Sequence, residues 1–238
     1  MKYVLVTGGA QGLGCEIVKS LASNGYNVII GFLSSSEDAY KLCDEIKSKY
    51  NVNVVVKRID ITCEEDVKNI YKEFDVDILI NNASLSSDNY IEDKSFDEFM
   101  NVVSVNLGGT YLMCKYAKNA RIIINISSKD GIDTFNPISL DYSASKAGII
   151  NLSSNLSLYY KDKRIYTVCP GWINTESVKN MNPNYLKNEM ERIGQKELVK
   201  LIQFIFNKFI NIFINIFYTS NLIIFNTMNN TIIIFFSH

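Results

Sequence analysis

The sequence predicts a doubly wound α/β fold, a parallel sheet with helices on both faces, and three observations carry that prediction. Short apolar runs alternate with amphipathic stretches of helical period from Lys2 to Val168, as they do where crossover helices cover both faces of a parallel sheet. A glycine-rich loop, TGGAQGLG at Thr7–Gly14, leaves the first apolar run and opens the first helix. In YSASK, Tyr142–Lys146, a tyrosine and a lysine stand one helical turn apart and share a face of a later helix.

The elements follow in order. Val4–Val6 is the first strand, and Leu13–Ser23 is a helix with apolar positions Ile17, Val18 and Leu21. Between them Gly8 takes the tight turn, Gly12 lets backbone approach a phosphate and Gly14 permits close packing of the helix. The helix start then offers free N–H groups and a favourable dipole to an anion, so the loop reads as a dinucleotide cradle. Val28–Ile30 is the next strand, followed by a helix over Ser36–Tyr50 with Ser36 as its cap, and Asn24-Gly25 and Tyr50-Asn51 mark reversals. Val52–Val56 and Ile78–Ile80 are strands flanking the helix Glu64–Phe74. Phe96–Lys118 is a long helical region holding Asn106 and interrupted at Gly108-Gly109. Arg121–Ile126 is a strand, Tyr142–Tyr160 a helix and Arg164–Val168 the strand after it.

A chain of 238 residues fits one large domain. With 24 basic against 25 acidic side chains there is no charge excess to attract nucleic acid or an anionic membrane. Cys15, Cys43, Cys63, Cys114 and Cys169 are scattered, and the sole histidine, His238, joins no cluster, so reduced thiols are expected and a metal site is not. Lys2–Val6 is too short for a secretion segment, which predicts a cytoplasmic location.

The chemistry is expected from Ser128, Tyr142 and Lys146. A tyrosine hydroxyl near an ammonium exchanges a proton with a carbonyl or alcohol, while a serine hydroxyl polarises the same substrate oxygen. Read alone, YSASK is equally an exposed helix start. The ordered set TGGAQGLG, Asp60 in IDIT, NNAS at Asn81–Ser84, Asn106 in VNLGG, NISS at Asn125–Ser128, YSASK and PGWINT at Pro170–Thr175 resembles the classical short-chain dehydrogenase/reductase family. The likeness runs from Lys2 to roughly Phe206 and is strongest to 3-oxoacyl-acyl-carrier-protein reductases and related sugar or steroid alcohol dehydrogenases. It implies a Rossmann-type domain in which Tyr142 donates the proton for ketone reduction, Lys146 binds the nicotinamide ribose and depresses the tyrosine pKa, Ser128 orients the carbonyl, and Asn106 holds a helix distortion and a water. Ser128 is preferred to Ser127 because a glycine, Gly131, follows it three positions later. The resemblance also implies dinucleotide contacts from Gly8, Gln11, Gly12, Leu13, Gly14, Phe32, Ser34, Asp60, Ile61, Asn82, Ala83, Ser84, Tyr142, Lys146, Pro170, Gly171, Ile173 and Thr175. Ser84 stands where the family usually has glycine, and Asp60 has a competing reading as a cap for the helix starting near Glu64.

The second strand ends VIIGFLSSSED. NAD-selective relatives place a carboxylate where Phe32 stands, so NADP(H) is favoured over NAD(H), although no arginine flanks Ser34 and Ser35 and Gln11 replaces a basic residue. Val178, Met181, Pro183, Tyr185, Leu186 and Met190 form either an apolar lid or a packed helical pair. Beyond them Glu197 starts a helix, and the chain departs from the family in an Ile-, Phe- and Asn-rich extension, 207–238, after the catalytic domain 1–206. Asn207, Lys208, Asn211, Asn215 and Asn221 interrupt the apolar run Phe204–Phe225, which disfavours a membrane span. Thr231–Phe236 is the candidate for the missing last strand. The expected activity is NAD(P)H-dependent carbonyl reduction on a 3-oxoacyl thioester, with acyl carrier protein as partner and a homodimer or homotetramer as assembly. The alternatives are a sugar or small alcohol as substrate, and a nucleotide-binding protein with catalysis impaired by the altered end of the chain.

Overall fold

The computed structural model of the protein describes residues 1–133, 136–192, 223–226 and 232–236. Its sheet begins with β1 (Lys2–Val6), β2 (Val28–Phe32), β3 (Val54–Arg58), β4 (Asp75–Asn81), β5 (Ile122–Ile126) and β6 (Arg164–Cys169). These six run parallel in the order β3-β2-β1-β4-β5-β6. The order reverses beside β1, and ligands of doubly wound sheets bind where that reversal opens a crevice at the carboxyl ends of the strands. Helices α1 (Gly12–Ser23), α2 (Ser36–Lys49), α3 (Glu64–Glu73), α4 (Phe96–Val103), α5 (Thr110–Tyr116) and α6 (Leu140–Tyr159) connect the strands.

Alternation along each strand builds two cores, which is why the strands read as unbroken apolar runs. Val4, Val6 and Ile30 point one way and pack with Ile17, Leu21, Leu42 and Ile46 of α1 and α2. Leu5, Ile29 and Leu79 point the other way and meet Val67, Ile70 and Met113 of α3 and α5. Each such side chain, fully buried, contributes on the order of 1.5–3 kcal/mol. At the amino ends of the strands Asp77 accepts from Lys2 Nζ at 2.9 Å and from Arg121 Nε and Nη2 at 2.7 and 2.5 Å, clamping β1, β4 and the start of β5. The guanidinium first, then the ammonium, holds the Asp77 carboxyl below its ordinary range.

Several expectations shift. The cap of α2 is Ser35, not Ser36, which is the first helical residue, and neither hydroxyl caps the helix. The third strand lies two residues beyond Val52–Val56 because its register is set by β2, with Val28 opposite Val54 and the Val28 amide bonded to Asn53 O. The interruption expected at Gly108-Gly109 takes the form of a π-helical segment, Ser104–Gly109, through which the backbone passes from α4 into α5. Asp60 is not a helix cap; its carboxylate accepts from the Thr62 amide and hydroxyl, and Cys63 precedes α3.

After β6 come α7 (Glu176–Lys179) and α8 (Pro183–Arg192), two short helices over the segment expected to form either an apolar lid or a packed helical pair. The strand expected at Thr231–Phe236 is β8 (Ile232–Phe236), paired antiparallel with β6 from Cys169↔Ile232 to Ile165↔Phe236, and β7 (Ile223–Asn226) pairs antiparallel with β8. The sheet is therefore mixed at this edge. The expected helix from Glu197, the boundary at 206 and most of the run Phe204–Phe225 lie outside the described residues. Among the described residues no helix is long and apolar enough to cross a membrane.

Candidate active site

A cleft of about 1650 Å³ opens along the carboxyl ends of the strands, lined on one side by the glycine loop and on the other by Ser128, Tyr142 and Lys146. It exceeds the ~300–1,000 Å³ of an ordinary small-molecule pocket and so has room for a dinucleotide together with a substrate. Gly8 and Gly12 have φ of 61° and 51°, the left-handed region that other residues avoid. A Cβ on Gly14 would lie 2.1 Å from the carbonyl oxygen of Gly8, so only glycine lets α1 fold back onto its own loop. No side chain caps the start of α1 and no acidic residue sits in its first turn, which leaves its amides and dipole for an anion. Asn82 fixes the loop from behind, donating through Nδ2 to the carbonyls of Thr7 and Gly8 at 3.1 and 3.0 Å. These features fit a pyrophosphate.

The predicted contacts Gly8, Gln11, Gly12, Leu13, Phe32, Ser34, Asp60, Ile61, Asn82, Ala83, Ser84, Pro170, Gly171, Ile173 and Thr175 all border the cleft. Gly14 and Asn106 do not: one lies beneath the loop, the other is fully buried behind it. Gln11 Nε2 donates to Asp38 Oδ2 at 2.6 Å, which brings to the rim a carboxylate that the sequence did not single out. Val178 is buried, whereas Tyr185 is exposed and joins Met181 along the cleft wall.

On the opposite wall β5 ends at Ile126, and Ser127 and Ser128 diverge. Ser127 Oγ donates to Lys146 O at 2.7 Å, while the Ser128 hydroxyl shares a hydrogen bond with Tyr142 and accepts from the Asp130 amide at 3.1 Å. The turn Lys129–Gly131 that follows lies directly on α6: a Cβ at Gly131 would come within 2.6 Å of Lys146 C. Glycine three residues after the serine is thus a packing requirement.

Burial, reinforced by the Asp130 carboxylate, raises the Tyr142 pKa to about 12 against the opposing Ser128 bond. Lys146 is only 2% exposed; burial lowers its pKa to about 8. Its Nζ donates to Ile126 O at 3.0 Å and lies 5.2 Å from the centre of the Tyr142 ring. The expected depression of the tyrosine pKa by Lys146 is therefore not found, because desolvation of the phenol dominates and the ammonium is turned toward a backbone carbonyl.

Asn106 sits in the π-helical segment. It donates to Leu85 O and Ser145 Oγ, both at 2.9 Å, and accepts from the Leu85 amide at 2.7 Å. A π-turn re-aims a side chain that a continuous α-helix would place elsewhere, and here it joins the loop after β4 to α6.

The profile described as short chain dehydrogenase matches residues 2–186. The chain belongs to the short-chain dehydrogenase family. Its reaction is accordingly NAD(P)-dependent oxidoreduction between a carbonyl and an alcohol. An uncharacterized oxidoreductase of Thermotoga maritima is 32% identical over 191 residues, covering 75% of this chain and 73% of that protein. A 3-oxoacyl-[acyl-carrier-protein] reductase of Chlamydia muridarum is 32% identical over 218 residues, 84% of this chain and 87% of the relative. A dehydrogenase/reductase from Sinorhizobium meliloti superposes with a TM-score of 0.74 at 26% identity, over 80% of this short-chain dehydrogenase and 79% of the other chain.

What the sequence did not single out is the support behind this short-chain dehydrogenase's tyrosine. Asp141, next to Tyr142, is fully buried and paired with Lys94 at 2.9 Å. Asp141 had a visible signal, an acid at a helix start beside the key tyrosine. Lys94, distant in sequence, had none.

Proposed function

We propose that the chain reduces a 3-oxoacyl thioester, presented by acyl carrier protein, to the alcohol with NADPH, and that Tyr142 is the proton donor. The observation that carries the carbonyl chemistry of this reading is the Tyr142 hydroxyl bonded to Ser128 at the cleft wall. In its protonated form that phenol can give a proton to a carbonyl oxygen in the transition state. Gly8, Gln11, Gly12 and Leu13 would hold the pyrophosphate, Asp60 and Ile61 the adenine, Asn82, Ala83, Ser84 and Lys146 the ribose nearer the reaction, and Pro170, Gly171, Ile173 and Thr175 the nicotinamide. The bound cofactor supplies the hydride. Ser128 orients the carbonyl oxygen and Tyr142 delivers the proton to it.

Phe32 in place of a carboxylate supports NADPH, while Asp38 at the rim opposes a 2′-phosphate. The thioester rests on the likeness to acyl-carrier-protein reductases. Exposed Phe96, Tyr111 and Leu158, with 77%, 46% and 54% of their surface accessible, support assembly into a homodimer or homotetramer. The pairing of β8 with β6 supports a single unit in which 207–238 extends the catalytic domain 1–206. Five free cysteines support a reducing, cytoplasmic setting.

The test follows reduced-nicotinamide absorbance with NADPH and NADH against 3-oxoacyl thioesters, simple ketones and sugar-derived carbonyls. Thioester-dependent oxidation, lost in Tyr142→Phe while dinucleotide binding persists, is the expected result. Turnover on sugars alone would move the substrate class, and undiminished turnover in Y142F would remove Tyr142 from the mechanism.

A further inference from the structure

We propose that Lys94 is a positioning residue, a buried ammonium that locks the loop after β4 to the start of α6 and so fixes Tyr142 against the cleft. The inference rests on the reading of Tyr142 as proton donor but adds a residue outside the cleft. The Lys94 side chain is 3% exposed and its partner Asp141 fully buried. Its three N–H donors meet three acceptors at 2.9 Å each: Ser87 O, Ser87 Oγ and Asp141 Oδ2. Asp141 Oδ1 accepts from the Tyr142 amide at 2.8 Å, so the ion pair ends on the backbone of the tyrosine itself.

The same loop is tied to α6 and the turn before it at two further points. The Asn89 amide donates to Ile138 O at 2.9 Å and Ser139 Oγ donates to Asp88 Oδ1 at 2.5 Å. Glu98 of α4 completes the network: it accepts from Ser87 Oγ and Asn89 Nδ2 and lies 3.9 Å from Lys94 Nζ. The charged groups around Lys94 are thus Asp141 and Glu98, and those around Tyr142 are Asp130, Lys146 and Asp141. A surface ion pair would contribute little. Here removal of one partner leaves the other charge buried, and in K94M the charge left behind, that of Asp141, adjoins Tyr142.

The test uses Lys94→Met, Asp141→Asn and the double variant on the full chain. Two readouts are taken: amide exchange at Leu85 and Asn89, and the pH profile of kcat with NADPH and carbonyl substrate. K94M is expected to speed exchange at both amides and to lower kcat by at least ~10-fold with dinucleotide affinity kept. Its tyrosine-dependent limb moves to higher pH, because the uncompensated carboxylate opposes the phenolate. D141N moves that limb to lower pH, and the double variant returns it toward wild type. Should K94M not fold, D141N and Lys94→Arg carry the same comparison. Unchanged exchange in K94M overturns the proposal whatever Tyr142 does, and so do pH limbs moving together in the two single variants. Y142F, measured alongside, reports separately whether the proton-donor reading has failed.

Discussion

Replacing Lys146 by methionine is expected to stabilise the fold while destroying turnover. The ammonium is 2% exposed, it donates to the Ile126 carbonyl, and among the described residues no carboxylate pairs with it. The fall of its pKa from 10.5 to about 8 corresponds to ~3 kcal/mol by which folding disfavours the charged form. Methionine fills a similar volume without a charge but leaves the Ile126 carbonyl short of a partner, at about 1 kcal/mol. The net gain near pH 7 is ~2 kcal/mol, about 4–8 °C in Tm for a chain of this size. The sign with pH is definite. Between pH 8 and 10.5 the unfolded chain holds the Lys146 proton and the folded one has released it, so wild-type stability rises with pH through this window. K146M has no such term, and the two melting temperatures converge as pH rises. Thermal unfolding followed by circular dichroism without dinucleotide, at pH 7 and at steps up to 10.5, reads this directly. A variant melting below wild type at pH 7, or a gap that stays constant up the series, would refute the reasoning.

Gly14→Ala places a methyl 2.1 Å from Gly8 O, and because that neighbour is backbone the loop must open; dinucleotide affinity by calorimetry is expected to fall at least ~10-fold with NADPH and NADH alike. Asp38→Asn removes the carboxylate that Gln11 holds at 2.6 Å, and the kcat/KM ratio of NADPH to NADH should rise severalfold; an unchanged ratio places the 2′-phosphate elsewhere. Arg121→Ala loses the bidentate bond to Asp77, whose partner is 53% exposed, and is expected to cost ~1 kcal/mol in urea unfolding at neutral pH. That contribution is present above pH 3.8 and is lost as acid protonates Asp77, so wild type and R121A approach each other at low pH. Asn106→Leu leaves the Leu85 amide and carbonyl without their buried partner; a loss of ~2–3 kcal/mol and faster exchange at Leu85 are expected.

The parallel part of the sheet was legible because each strand must bury both faces, which leaves residues such as Val28, Ile29 and Ile30 no polar option. Element ends were less legible because they answer to neighbours. Nothing in Val52–Val56 says that β2 will pair its Val28 with Val54, and Ser35 and Ser36 are chemically identical as caps. The π-helical form of the interruption at Gly108-Gly109 has the same origin. Read locally, two glycines suggest a break, but Gly109 is needed where a Cβ would meet Ile61 Cδ1 at 2.5 Å, so the requirement comes from packing and not from the turn of the backbone.

The site divides along a similar line. Its cradle and its Ser128, Tyr142 and Lys146 stand in short motifs whose spacing survives folding unchanged: one helical turn brings tyrosine and lysine together, and the serine-to-glycine interval records the contact of the Lys129–Gly131 turn with α6. The support behind them leaves no such trace, since the Lys94–Asp141 pair, the Asn106–Leu85 bridge and the Asp88–Ser139 bond join residues separated by 47, 21 and 51 positions. The electrostatics were misjudged for a related reason. A lysine four residues after a tyrosine predicts attraction for the phenolate, but the sign of a pKa shift depends on how much water both groups keep, and burial of Tyr142 and Lys146 moves each toward its neutral form. Spacing fixes which groups meet; only the packing around them fixes how strongly each holds its proton, and that is why K146M and K94M, which each remove a buried charge and leave the surrounding volume nearly unchanged, discriminate most sharply.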